Sequence, residues 1–598
     1  MKLHKDMNNL EIAELLRSVA AAYQLKDANK YKFQIIAYER AADAIEHATS
    51  ELKDLWDDGK LEDVSGIGKS LSEHLDELFR TGKSKHFEEV MKGLPPTMFE
   101  LMKVPGIGAK TAYKLSSELG IRSLDELEKM AKKGKISKIE GFGEQSQSDI
   151  LKAIQETKGK TRRHLLPYAT AIANEIINWM QEERSVKRAD PLGSLRRQAA
   201  TVGDIDIAVA SDEPQEVLEH FTKYPKAQRV LEKGDHTASI IVPGDVQVDL
   251  MVQPSNSYGS LLQHFTGSKH HNIALREYAL KKGLSLSEYG IRKIHDSRSK
   301  IQEFNTEEKF YNHLGLEWIP PELREDSGEI EAALKSSKAF QGLPHLVELK
   351  DIKADLQIHS DFDIETSHDI GESSMEDVIR KAGELGYEYL AFTEHNPSKS
   401  KHSEEQIVEI LKRKREKIEQ INYSLKDMNN LSVQTVFNSL EIDMLPEGGL
   451  PVSEAGLETL DFALLTIHSS FNLSRDAMTK RVLSALYHPK VKIFAHPTAR
   501  KLNEREGVEL DWPKIFDFCK SNNKWIEINA EPGRLDLPDT LVKEAVKEGV
   551  KLTLGTDAHH KDGMNNMIFG VSVARRGWAE KDDIINSLTL EEFKKMLE

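Results

Sequence analysis

The second half of this 598-residue chain is constrained by histidines that recur at the ends of short apolar runs. The segments are Asp355-Leu-Gln-Ile-His359, Ala391-Phe-Thr-Glu-His395, Ser439-Leu-Glu441-Ile-Asp443, Leu465-Thr-Ile-His468, Ile493-Phe-Ala-His496 and Gly555-Thr-Asp557-Ala-His559. Amphipathic stretches such as Met375–Leu385 lie between them. Strands alternating with helices predict repeated β/α units. In a β/α barrel the strand C-termini converge on one face. One histidine ending a strand is ordinarily a surface residue. Five of them in register with a glutamate and an aspartate predict a shared metal site. Imidazole with carboxylate suits Mn2+, Zn2+ or Fe2+.

The first half carries a different cluster. Leu192-Gly-Ser-Leu-Arg-Arg197 is followed by Val202-Gly-Asp-Ile-Asp-Ile-Ala-Val209 and then by Val246-Gln-Val-Asp249. Side chains alternate faces along a strand, so Asp204 and Asp206 point the same way. Asp249 faces opposite to Val246, Val248 and Leu250 by the same rule. If the two strands pair, three carboxylates converge and divalent cations must neutralise them. Oxygen-only ligands suit Mg2+ or Mn2+, and a pair of such ions supports phosphoryl transfer.

This arrangement resembles the nucleotidyltransferase superfamily. Leu262-Gln-His-Phe-Thr-Gly-Ser-Lys-His-His-Asn272, then Arg276 and Gly283–Gly290, is similar to the thumb of family X DNA polymerases. The resemblance implies that Gly193, Ser194 and Arg197 contact a nucleoside triphosphate and that Gly203 precedes the metal pair. It places Phe265 and Gly267 at the sugar, and Asn272 and Arg276 near the nascent base pair. Asp204 and Asp206 would hold both metals, and Asp249 the metal that serves the primer 3′-hydroxyl. Two departures stand out. His264 precedes Phe265 where the family's animal members have tyrosine, which bears on ribose discrimination. Met251 stands where an arginine is common, which bears on how the aspartates are held.

Residues from about Asn9 to Glu156 read as helices with short glycine turns, apolar residues recurring at helical spacing. The turns are Val64-Ser-Gly-Ile-Gly68, Val104-Pro-Gly-Ile-Gly108 and Ile139-Glu-Gly-Phe-Gly143. Glycine permits close approach by a phosphate, and the following helix N-terminus offers free N–H donors. The turns resemble helix-hairpin-helix motifs, which grip DNA backbone without reading sequence. Gly66, Gly68, Lys69, Gly106, Gly108 and Lys110 are the implied DNA contacts. The run Lys158–Arg163 offers further positive charge. Family members can carry a deoxyribose-phosphate lyase in the first of these domains, with a lysine nucleophile. Here His74 falls at that position, and imidazole forms no such imine, so classical lyase activity is not expected, with Lys69 nearby as the alternative nucleophile.

The C-terminal half resembles the PHP (polymerase and histidinol phosphatase) domain, a distorted seven-stranded β/α barrel that hydrolyses phosphoesters at three metals. Fused to a family X polymerase it implies a 3′→5′ exonuclease. The residue match gives His359, His395, Glu441, His468, His496, Asp557 and His559 as ligands. Asp369 is the best match to the family's next aspartate, with Asp361 and Asp363 as alternatives. The family opens on His-x-His where this chain has Gln357-Ile-His359, so one metal is expected to bind weakly or be absent, with a weakened exonuclease. Glu394 stands in the usual Thr-Asp-His as Thr393-Glu-His395.

Composition sets outer bounds. A hydrophobic content of 39% with no apolar run approaching ~20 residues predicts no membrane span. The single cysteine, Cys519, excludes an internal disulfide framework and fits a cytoplasmic protein. A formal charge of −16 argues against a generally basic nucleic-acid binder and leaves local basic surfaces for DNA. The expected organisation is multidomain α/β: helix-hairpin-helix domain 1–90, fingers with a second such motif 91–158, nucleotidyltransferase palm 159–254, thumb 255–317, linker 318–348 and PHP domain 349–598. Its expected partners are gapped or primed DNA and deoxynucleoside triphosphates, taken by a monomer. A template-independent nucleotidyltransferase, and a polymerase whose barrel is only structural, are the alternatives.

Overall fold

The computed structural model describes residues 7–598 except 8, 47–51, 58, 60, 64–66, 103, 105–106, 122, 140–141, 145, 149, 152–153, 155–162, 295–299, 335–341 and 428–430. The chain forms two compact units. One comprises residues 1–176, 221–234 and 238–249, the other 177–220, 235–237 and 250–598.

The first unit opens with helices that bury their apolar stripes in two cores. Ile12, Leu16, Val19, Leu75 and Phe79 belong to one, and Met98, Leu101, Ala112, Leu115 and Leu127 to the other. Helix Lys69–Thr81 starts at Gly68 and stops at Gly82, whose φ of 75° is the left-handed cap that glycine favours. Helix Ala109–Leu119 repeats the device between Gly108 and Gly120. In strand Val246–Gln253, Val246, Val248 and Leu250 are buried while Gln247 and Asp249 are half-buried, which is the period-two pattern of a one-faced strand.

In the second unit, strand Arg188–Pro191 pairs antiparallel with Ile205–Ala210, matching Asp190 to Ala208 and Pro191 to Ile207. Helices Tyr258–Thr266, Lys269–Lys281 and Glu307–Leu314 follow. Leu275, Phe304, Phe310, Tyr311 and Leu314 form the core of the latter two, joined by Leu316, Ile319, Leu323, Ile330 and Ala333, while Tyr258, Leu261 and Leu262 of the first pack with Leu192, Ala208 and Ala210. The segment expected as a linker from Trp318 therefore packs into the thumb as far as Ala333. Its charge is spent inward: Arg324 is fully buried, donating to Glu307 Oε1 at 2.7 Å and to Ile319 O at 2.8 Å.

The C-terminal half is built on parallel strands in two sheets. Ala354–Ile358, Tyr389–Phe392 and Thr435–Asn438 form one sheet, and Glu441–Asp443, Ala463–Thr466, Val491–Phe494, Trp525–Asn529 and Leu552–Gly555 the other. The run 435–443 serves both, its first part pairing with Tyr389–Phe392 and its second with Ala463–Thr466. Counting that run once leaves seven. An Ile358–Ala558 bridge joins the first strand to the last and a His395–Glu441 bridge spans the other seam. At Gly555 a Cβ would collide with Glu527 and Gln357, so the last strand needs glycine to pack there. Among the described residues no helix is long and apolar enough to cross a membrane.

Candidate active sites

Gly193 opens a short helical turn at a φ of 56°, against the Asp206 carboxylate, and a Cβ there would strike that carboxylate. The Leu192 N–H donates to Asp206 O at 2.8 Å, tying the turn to strand Ile205–Ala210. Asp204 is exposed just before that strand and Asp206 is half-buried within it, while Ser194 and Gly203 are half-buried. Arg197 donates Nε to Glu325 Oε1 at 2.9 Å and Nη1 to Thr266 O at 2.6 Å. Its neighbour Arg196 forms a fork to Glu307 at 2.9 and 2.6 Å.

Asp249 belongs to the first unit, where Gln247 Nε2 donates to both of its carboxylate oxygens at 3.0 Å and Ser239 Oγ donates to Oδ1. The neutral Gln247 amide thus orients Asp249, in a chain that has Met251 where the family pattern has an arginine.

Helix Tyr258–Thr266 ends at Gly267 with a φ of 69°, and Arg197 Nη1 lies 3.2 Å from where a Cβ would be. Helix Lys269–Lys281 places Asn272 and Arg276 one turn apart. Asn272 accepts from Gln263 Nε2 at 2.9 Å and donates to His264 O at 2.7 Å, which locks the two helices together. Arg276 is exposed and Phe265 half-buried. His264 meets Phe265 edge-on at 4.8 Å, and burial lowers its imidazole below the usual range.

Of the implied DNA contacts, Gly66 and Gly106 lie outside the described residues, as do residues 158–162. Gly68 and Gly108 have extended backbone, with φ of −77° and −76°, and a Cβ at either would meet nothing within 4 Å among the described residues. The fold itself therefore does not require glycine at these two helix starts. Lys69 and Lys110, the first and second residues of their helices, are exposed. His74 stacks on His86 at 4.1 Å. Burial and then the neighbouring imidazole lower its pKa.

The second cluster centres on Glu441, which is buried. Its Oε2 lies 3.1 Å from His359 Nε2 and 3.8 Å from His395 Nδ1, and its Oε1 3.0 Å from His496 Nε2 and 3.5 Å from His468 Nε2. His359 Nε2 also lies 3.2 Å from Asp557 Oδ1, and its ring stacks on that of His559 at 4.2 Å. Burial alone would raise Glu441, yet His395, His359 and His496 hold it well below the ordinary carboxylate range. The donor set fits divalent cations. Glu441, His468 and His496 form one group of converging ligand atoms, and His359, Glu441 and Asp557 another. His395 Nδ1 is buried without a hydrogen-bond partner.

Two residues here were not picked out from the sequence as site residues. His368 Nε2 contacts Asp443 Oδ2, and its ring stacks on His395 at 4.7 Å. Asp443 Oδ1 also lies 2.6 Å from His468 Nδ1, and a carboxylate beside a ligating imidazole steadies it. Asp443 was legible in principle, because two residues beyond Glu441 on one strand it shares a face with it. Asp369, next to His368, is exposed, as are Asp361 and Asp363. Glu394 points away from the cluster, pairing with the buried Lys414 and accepting from Ser360 N–H at 3.2 Å.

Comparison with known proteins places these features. The DNA polymerase beta thumb model matches residues 261–325. A helix-hairpin-helix domain model matches residues 7–84, and a SAM-like helix-hairpin-helix tandem residues 99–156. The chain is 33% identical over 593 residues to the DNA polymerase/3′-5′ exonuclease PolX of Bacillus subtilis (strain 168), a match covering 99% of both. It is 22% identical over 346 residues to DNA polymerase lambda of Rattus norvegicus, covering 53% of this chain and 56% of that one. It is 25% identical over 349 residues to DNA polymerase lambda of Arabidopsis thaliana, covering 53% and 62%. A polymerase thumb behind two helix-hairpin-helix regions, in a chain colinear from end to end with PolX, means that this protein belongs to the family X DNA polymerases.

Proposed function

We propose that this polymerase fills short gaps in primed DNA during repair, and that its C-terminal half is a PHP-type phosphoesterase that trims 3′ ends. The PolX relative is named for both activities and matches along the whole chain, which supports joining them here. The domain scheme expected from sequence is kept, with residues as far as Ala333 among the buried members of the thumb's core.

At the polymerase site Asp204, Asp206 and Asp249 are the proposed holders of Mg2+ or Mn2+. Such ions, when bound, neutralise the phosphates and favour the in-line displacement. Asp249, steadied by Gln247 and Ser239, takes the proton of the primer 3′-hydroxyl as that oxygen attacks the α-phosphate and pyrophosphate leaves. Gly193, Ser194 and Arg197 receive the triphosphate, since backbone donors and an arginine fork match its oxygens. Phe265 and Gly267 border the sugar, and Asn272 and Arg276 the base pair. Gly68, Lys69, Gly108 and Lys110 take the DNA backbone, with Gly66 and Gly106 in the same turns. The open space beside Gly68 and Gly108 supports this reading.

For the C-terminal half the carrying observation is Glu441, whose two oxygens face four imidazoles at 3.0–3.8 Å. We assign His359, His395, Glu441, His468, His496, Asp557 and His559 as ligands of Mn2+, Zn2+ or Fe2+, with His368 or Asp369 completing the set. Gln357 favours fewer than three ions, because its amide is hydrogen-bonded to Glu441.

The test is a 5′-labelled primer on a gapped duplex with Mn2+, with and without deoxynucleotides. Extension in wild type that is lost in Asp249→Ala, and shortening without nucleotides that is lost in His468→Ala, are the expected results. Synthesis by Asp249→Ala would overturn the metal assignment. Shortening that persists in His468→Ala would place the nuclease elsewhere.

A further inference from the structure

The turn that the polymerase site offers to a triphosphate is held from the C-terminal half of the chain. Helix Met567–Arg576 ends in Arg576, whose Nη1 donates to Arg197 O at 2.7 Å and to Glu325 Oε1 at 3.1 Å. Its Nε and Nη2 hold Asp539 Oδ2 at 2.8 and 2.6 Å. Glu325 Oε1 accepts in turn from Arg197 Nε at 2.9 Å. One turn back on the same helix, Ser572 Oγ donates to Gln198 Oε1 at 3.1 Å. Gln198 sits at a φ of 55°, where the turn closes.

Charge alternates along this chain of contacts, Arg197–Glu325–Arg576–Asp539, and both arginines are largely buried, 14% and 10% exposed. Exposed ion pairs fix little, because solvent screens them and long side chains stay mobile. Here Glu325 and Asp539 are 32% and 30% exposed, so it is the two buried arginines, each held by more than one partner, whose orientation is fixed. Glu325 on Nε and Thr266 O on Nη1 leave the Arg197 fork one available pose. Holding a binding group in its working pose before the ligand arrives removes an ordering cost from the binding step. The C-terminal half thus acts on the nucleotide site without touching the nucleotide.

We propose that Arg576, acting through Glu325, is a positioning residue that fixes Arg197 for the incoming triphosphate, so that the C-terminal half is an integral part of the polymerase site. This rests on the reading of Arg197 as a triphosphate contact.

Single-nucleotide gap filling by the full-length protein tests it. Arg576→Ala is expected to raise KM for the deoxynucleotide about tenfold while kcat stays within about twofold, with affinity for gapped DNA unchanged. Arg576→Lys is expected to recover part of the loss, since it restores a cation but not the fork. Arg197→Ala should raise KM at least as far, and the double variant Arg197→Ala/Arg576→Ala should be no worse than Arg197→Ala alone, as for two residues on one path. An unchanged KM in Arg576→Ala beside a raised one in Arg197→Ala overturns the proposal and leaves the triphosphate reading standing. An unchanged KM in Arg197→Ala overturns that reading itself. Additive effects in the double variant show that Arg576 acts by another route and overturn the proposal as well. Where Arg576→Ala lowers the thermal midpoint, Glu325→Gln, which keeps the shape and removes the charge, takes its place. The same rise in KM is then expected, and an unchanged KM in Glu325→Gln overturns the proposal.

Discussion

Gln357 donates its side-chain amide to Oε2 of Glu441 at 2.9 Å and accepts from Asn529 Nδ2 at 3.1 Å. A neutral N–H donor aimed at the shared carboxylate occupies a lone pair that a cation would otherwise take. Asn529 also reaches Glu527 and Asp557 at 3.2 Å, so a pair of amides fills the space beside the buried carboxyls. Gln357→His should replace the donor with a ligand. We expect the variant to bind about one more Mn2+ or Zn2+ per chain than wild type, read by elemental analysis after gel filtration. An equal metal content in the two proteins would show that Gln357 does not limit the count.

From the loop Ser360–Ser374, His368 joins His395 and His468 among the converging ligand atoms. His368 contacts Asp443 and stacks on His395, whereas Asp369 beside it is exposed. His368→Ala should therefore weaken metal retention about 10- to 100-fold, the usual cost of losing a ligand or its supporting group. Asp369→Ala should retain metal nearly as well as wild type in a chelator competition. The reverse order would return the role to Asp369.

Much of this arrangement is written in local pattern. The alternation of Val246, Val248 and Leu250 against Gln247 and Asp249 is a period-two signal, and the strand shows it in its burial. Histidines at strand ends converge because parallel β/α units point their C-termini one way. What escapes is whatever depends on a distant partner. The segment that begins at Trp318 reads as linker from its prolines and charges, yet Ile319, Leu323 and Ile330 are buried and Arg324 finds Glu307 seventeen residues away. His368 is passed over because the family pattern points to an aspartate in that loop. No local feature of Ser439 and Leu440 marks the change of sheet, where Lys414 from the helix Glu404–Leu425 donates to Ser439 O.

Glu307 supports the thumb through two arginines. Burial would raise its carboxyl, but Arg324 and Arg196 bring it down to about 2 from an ordinary 4.5. A folded-state value below the unfolded one means that the ionised form stabilises the fold. That contribution is full above about pH 4.5 and is lost as pH falls toward 2. Its size is on the order of 3 kcal/mol. Glu307→Gln should lose it at every pH and leave the fully buried Arg324 poorly compensated. Urea unfolding followed at a series of acidic pH values should show the gap between wild type and Glu307→Gln closing as the medium acidifies. A gap independent of pH would assign the loss to packing rather than to charge.

Lys414 is the second buried charge whose loss should spread. It is fully buried, donates Nζ to Phe392 O at 3.0 Å and to Ser439 O, and pairs with Glu394. Ser439 lies where the run 435–443 passes from one sheet to the other, and the ammonium takes up its carbonyl, while Phe392 O also accepts from Ser439 N–H at 3.0 Å. Lys414→Met strands the Glu394 carboxylate in the interior and should cost about 3–5 kcal/mol. Adding Glu394→Gln removes the stranded charge and should restore part of that loss, a positive coupling in the double-mutant cycle. Glu441 lies two residues beyond Ser439 and His395 directly follows Glu394, so the single variant should also hold metal less tightly. Losses that simply add in the double variant would mean that Lys414 acts through its carbonyl bonds alone, and metal retention equal to wild type would mean that the strand switch does not set the position of Glu441.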